Sequence, residues 1–166
     1  MEMAKECLKK DTAFGINLIN SGREVGEPAI PEAIGCTASI VDWDMQQLGV
    51  LSIRVRGEER YRILSAWTTD SGLTRGRVEL MPERGDSKLG EEYSVCARLL
   101  ETAIEKRENP LDGDRPRFES TSWVSLRLAE LLPLPLASKQ RLLETPDAAH
   151  RIAAIKRILE QNGLTR

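Results

Sequence analysis

Cysteine, histidine and aromatic residues are all scarce in this 166-residue chain, and each scarcity removes a class of function. The three cysteines, Cys7, Cys36 and Cys96, are odd in number and widely spaced, which argues against a disulfide frame and for reduced thiols in a cytosolic protein. Cys36 and Cys96 fall at apolar-face positions and read as small core hydrophobes rather than redox groups. His150 is the only histidine, so a histidine-based triad or a zinc site lacks its partners. Aromatic residues make up 4% of the chain, which leaves few platforms for stacking bases. No apolar run approaches the ~20 residues a membrane helix needs, and no charged-then-apolar leader opens the chain. The expectation is an unexported, cytoplasmic protein with no membrane partner. Neither sign of charge dominates: 24 Lys and Arg face 26 Asp and Glu, a net charge of −2, with no bulk pull toward nucleic acid or acidic lipid.

What remains is an ordinary globular composition, 40% hydrophobic and 30% charged. That suits one domain, or a β-barrel with a helical lobe, burying about two thirds of its unfolded surface. The stretch Ile34 to Leu64 organises the rest. Ile34, Cys36, Ala38 and Ile40 alternate with other residues, the pattern breaks over Asp42 to Gly49, and Leu51, Ile53 and Val55 resume it. Period two means strands, and the break predicts a loop joining an antiparallel hairpin. Gly57 interrupts before Tyr61 and Ile63 restart the alternation, so it marks a tight turn or a bulge within one long strand.

The parts of this stretch, Ile34-Gly35-Cys36-Thr37-Ala38, the acidic tip Asp42 to Gly49, Leu51 to Val55, and Gly57-Glu58-Glu59-Arg60, resemble the core motif of the substrate-binding domain of Lon proteases. Trp123 to Leu143, WVSLRLAELLPLPLASKQRLL, resembles that family's helix, Leu-Pro linker and Lys-Gln-x-Leu-Leu turn. The resemblance implies an α+β fold, a PUA-like antiparallel β-barrel over residues 1–84 followed by a C-terminal helical lobe over 85–166. The family's strand-rich opening, with a Leu-Phe-Pro-Leu pattern and a Pro-Gly turn, has no counterpart here. A shortened variant, a start at an internal methionine, and an edge closed by a second copy all account for that difference, and the last makes a homodimer a possible partner state.

In chain order, Met1 to Lys10 reads as a short helix, Ala13 to Asn20 as a first strand, and Ser21 to Pro31 as a Gly- and Pro-rich loop. Trp67 to Arg75 is a polar turn, Gly76 to Met81 a last strand, and Pro82 to Gly90 a charged linker. Beyond it Tyr93, Cys96, Leu99, Leu100, Ala103 and Ile104 form one stripe of a helix running to about Arg107. Ser120 or Thr121 caps a second helix that buries Val124, Leu128, Leu131 and Leu132. Pro133 and Pro135 end it, and Lys139 to Glu144 adds one or two turns. Thr145-Pro146 opens a last helix burying Ile152, Ile155, Ile158 and Leu159, stopped at Asn162-Gly163.

A Lon protease joins such a domain to an ATPase and a Ser-Lys peptidase, and neither is present. Gly85-Asp86-Ser87-Lys88 lacks the spacing of a phosphate-binding loop, and too little chain remains for a peptidase. The chain reads as non-enzymatic, with no cofactor and no metal site. Asp42 and Asp44 are either a carboxylate pair for a cation or, more ordinarily, turn formers. Two candidate recognition surfaces follow. One is the hairpin tip, where Trp43, Met45 and Leu48 lie among polar residues; they either bind exposed peptide or fold back over an open barrel end. The other is the run Arg54, Arg56, Arg60 and Arg62, which alternation would gather on one sheet face, either to bind acidic chains or to pair with neighbouring acids. The expected partner is unfolded or tagged polypeptide or another protein; RNA, held by some PUA-like barrels, is the rival that the acidic balance and scarce aromatics disfavour.

Overall fold

The computed structural model describes residues 2–22, 29–47, 50–83, 86–106 and 115–164. The chain divides into two compact units, Met1–Pro82 and Glu83–Arg166. The fold is α+β, antiparallel sheet first and helices after.

The first unit opens with helix α1 (Glu2–Lys10), which buries Ala4 and Cys7. Strands β1 (Phe14–Ile16), β2 (Ile19–Ser21), β3 (Ile30–Pro31), β4 (Ile34–Gln47), β5 (Val50–Thr68) and β6 (Thr74–Leu80) follow. Four of them form an antiparallel sheet in the order β1-β4-β5-β6, and β2 pairs with β3 separately. The strand expected over Ala13 to Asn20 is therefore two strands in two sheets. Asn17 makes the change: its Nδ2 donates to the Glu32 carbonyl at 2.9 Å, its Oδ1 accepts from the Tyr61 hydroxyl, and the Glu32 N–H donates to the Leu18 carbonyl at 2.7 Å. Residues 23–28 of the expected loop lie outside the described residues.

The hairpin arms also run further than the sequence pattern, through Gln47 on one side and from Val50 on the other. Register shifts between Ile40 and Asp42 and between Asp44 and Gln47 put the alternation out of phase without ending the pairing. Asp42 and Asp44 are thus strand residues opposite Arg54 and Ser52, not turn formers. At Gly57 the strand continues through a bulge, since Cys36 pairs with Arg60 while Ala38 pairs with Gly57. The expected turn after Trp67 is shorter, because strand runs on to Thr68 and restarts at Thr74.

The second unit has a core of its own, with Cys96, Leu100, Trp123, Val124, Leu128, Leu142, Ile152, Ile155 and Leu159 among its members. A 3-10 turn (Glu91–Tyr93) leads into α2 (Ser94–Glu105), whose expected end at Arg107 lies outside the described residues. Helix α3 (Thr121–Leu131) is capped by Ser120, whose Oγ accepts from the Trp123 N–H at 3.0 Å. Helix α4 (Leu136–Glu144) starts a turn earlier than the pattern suggested. Helix α5 (Ala148–Gln161) starts later, because Asp147 is its cap and accepts from the His150 N–H at 3.0 Å. Thr145 instead closes α4, its hydroxyl donating to the Arg141 carbonyl at 2.8 Å. Gly163, at φ +70°, ends α5 in the left-handed conformation that a glycine adopts without strain.

Candidate functional site

The β4–β5 hairpin carries most of the candidate residues. Pairing of Asp42 with Arg54, Trp43 with Ile53 and Asp44 with Ser52 sets their directions, because residues opposite each other in an antiparallel pair share a face. Asp42 takes a 2.6 Å ion pair from Arg54 and also accepts from the Trp43 N–H at 2.9 Å, fixing the backbone where Trp43 projects. Trp43 is 55% exposed and Met45 45% exposed, with exposed Val50 nearby on the returning strand. Trp43 therefore offers an indole to solvent rather than lying under a barrel cover. Leu48 falls outside the described residues.

The arginine run is split. Arg56 pairs with Ser39 and Arg60 with Cys36, and the bulge at Gly57 sends these two arginines to opposite faces. Arg60 is 6% exposed and lines up with the buried Ala38 side, while its carbonyl accepts from the Met81 N–H at 2.7 Å. It belongs to the packing of the sheet and presents no surface to a ligand. Arg54 and Arg56 share the other face, and the first of these is engaged with Asp42. No single guanidinium row exists, because one extra residue in a strand inverts every side chain beyond it.

Sequence reasoning missed a cavity of about 410 Å³ in the first unit, lined by Phe14, Gly15, Tyr61, Ile63, Gly76 and Val78 among others. Tyr61 lies across Gly15, where any Cβ would collide with the phenol, and gives its hydroxyl to Asn17. Burial pushes the Tyr61 phenol up from its ordinary pKa, and the neighbouring Cys36 adds to the shift. A neutral, hydrogen-bonded phenol in a mixed lining positions the chain and does not suit acid-base chemistry near neutral pH. The signal for the cavity was the small residues Gly15 and Gly76 in strands, which leave room beside larger neighbours.

A charged network in the second unit was also missed. Arg151 is fully buried in α5 and donates to the Ser125 hydroxyl at 2.9 Å, the Thr145 carbonyl at 2.8 Å and the Glu83 carboxylate at 3.0 Å. Among the described residues, no group of three or more His, Cys, Asp or Glu is placed to hold a metal. No described helix is long and apolar enough to cross a membrane. His150 is exposed and lies beside Asp147, the cap of its own helix.

Residues 1–161 match the family model described as the ATP-dependent protease La (LON) substrate-binding domain. The chain belongs to this family. Among solved structures, this Lon substrate-binding domain is similar to the Lon N-terminal domain protein from Xanthomonas campestris. Identity is 29% over 94% of this chain and 81% of that one, with a TM-score of 0.75. It shares its fold with the N-terminal domain of the Mycobacterium avium complex Lon protease, at 17% identity and a TM-score of 0.51 over 86% and 87% of the two chains. A search of curated protein sequences finds no match at the threshold applied. The family match takes up nearly all of these 166 residues and leaves no span in them for an ATPase or a peptidase.

Proposed function

We propose that this Lon substrate-binding domain is a non-enzymatic, cytoplasmic module that binds unfolded or tagged polypeptide, or serves as an adaptor to another protein, through the apolar side of the β4–β5 hairpin. The observation that carries it is the exposure of Trp43 and Met45 on a paired, bonded strand, where burying them costs little ordering entropy. An exposed tryptophan anchored by its own backbone is the kind of residue that dominates binding energy when a partner covers it. RNA binding loses its main support, because the arginines it needs are divided between two faces.

Anisotropy of fluorescein-labelled casein, an unfolded chain, tests this at low and high salt. The expected result is binding with weak salt dependence, lowered about tenfold by Trp43→Ala, or about 1.4 kcal/mol. Absence of binding by the wild-type domain would sink the reading. Binding that Trp43→Ala leaves unchanged would remove the hairpin as its site, and a steep salt dependence would point to charged chains instead.

A further inference from the structure

Strand β6 ends the four-stranded sheet, and among the described residues its outer edge has no strand neighbour. All seven of its residues, Thr74–Leu80, are exposed. Alternate N–H and C=O groups along this edge point away from β5, which is the template for strand addition.

The two faces of β6 differ in chemistry. Gly76 pairs with Ala66, Val78 with Ile63 and Leu80 with Tyr61, so these residues share the face that borders the cavity. Val78 is 40% and Leu80 51% exposed there. Arg75 pairs with Trp67, Arg77 with Ser65 and Glu79 with Arg62, on the opposite face. Arg75 is bound to Glu6 of α1 at 2.6 Å, whereas Arg77 and Arg62 have no ion-pair partner among the described residues. One face of the edge is therefore apolar, and the other presents Arg77, a guanidinium without an ion-pair partner among the described residues.

We infer that β6 takes up an extended polypeptide segment of alternating apolar and acidic residues as an added strand. Its apolar side chains would continue the Val78 and Leu80 face toward the cavity, and a carboxylate on its other face would lie beside Arg77. Period two in the partner follows from period two in β6, and the acidic preference follows from the unpaired guanidinium of Arg77. This site is on β6 and not on the hairpin, so it stands or falls separately from the Trp43 surface.

Three fluorescein-labelled peptides test it against the intact chain: one alternating glutamate and valine, one alternating lysine and valine, and the first with alternate N-methylated amides. The wild-type chain binds the glutamate peptide, and the lysine and N-methylated peptides are each weaker by about tenfold or more. Arg77→Glu reverses the charge preference, a gain for the lysine peptide that a misfolded variant cannot show. Equal affinity for the glutamate and lysine peptides, or insensitivity to Arg77→Glu, overturns the inference. So does tighter Arg77-dependent binding of oligouridylate, or a peptide-sensitive dimer in sedimentation, which would make nucleic acid or a second copy the occupant.

Discussion

Arg151 shows how much one residue can hold. It sits at three residues after Ala148 and four before Ile155, inside the apolar stripe of α5, so its spacing placed it on the buried face even though its charge argued for solvent. The conflict resolves through Glu83, Ser125 and the Thr145 carbonyl, which occupy its donors. Arg151→Met removes one member of this set and leaves the Glu83 carboxylate without that cation. We expect a loss of about 3 kcal/mol in urea unfolding, with Glu83→Gln, which keeps hydrogen bonding, losing less. A change within about 0.5 kcal/mol would show that the network stabilises nothing. Trp43 makes the opposite case, since the register puts it opposite Ile53 on the face that carries Ile40 and the buried Ala38, and only its place near the hairpin tip leaves it uncovered.

Caps and bulges decide most at the level of elements. Asp147 is held below its ordinary carboxylate pKa of 3.8, first by the His150 N–H, with the Ala149 N–H and the His150 and Arg151 charges adding. Glu6 is likewise held below 4.5, first by its hydrogen bond from Lys10 and then by the Arg75 charge. Both groups bind protons more weakly in the folded chain than in the unfolded one. Their stabilisation is complete above the ordinary carboxylate range and is lost as the pH falls through the lowered folded values. Asp147→Asn keeps a capping oxygen and removes the titration. Its thermal midpoint should fall less than that of the wild type between about pH 5 and about pH 2.5, measured by circular dichroism. Equal falls would mean that the cap does not titrate with folding. The Ser120 cap was readable from its place before an apolar run, whereas Thr145-Pro146 misled, because Pro146 sits between two helices and Asp147 competes for the cap.

For the whole molecule, the division falls between Pro82 and Glu83, at the very start of the expected linker. The reason is physical: Glu83 binds Arg151 and Ser122, and the Ser87 carbonyl accepts from the Thr121 N–H at 3.0 Å, so most of the described linker is built into the helical unit. The core cluster of that unit draws all its buried members from residues after Glu83. Residues 83–166 expressed alone should therefore show a helical spectrum and a cooperative thermal transition. A gradual, non-cooperative melt would show that this core needs the first unit.

By itself the sequence determined the class of every long element, the change from strand to helix, and the family, since period, caps and breakers act over a few neighbouring residues. Tertiary structure alone decided which side chains share a face across the sheet and which charges are buried. Each bulge shifts the alternation by one residue, and whether it occurs depends on the partner strand. A buried charge such as Arg151 is tolerated only when distant residues supply its acceptors, and no local pattern encodes their arrival.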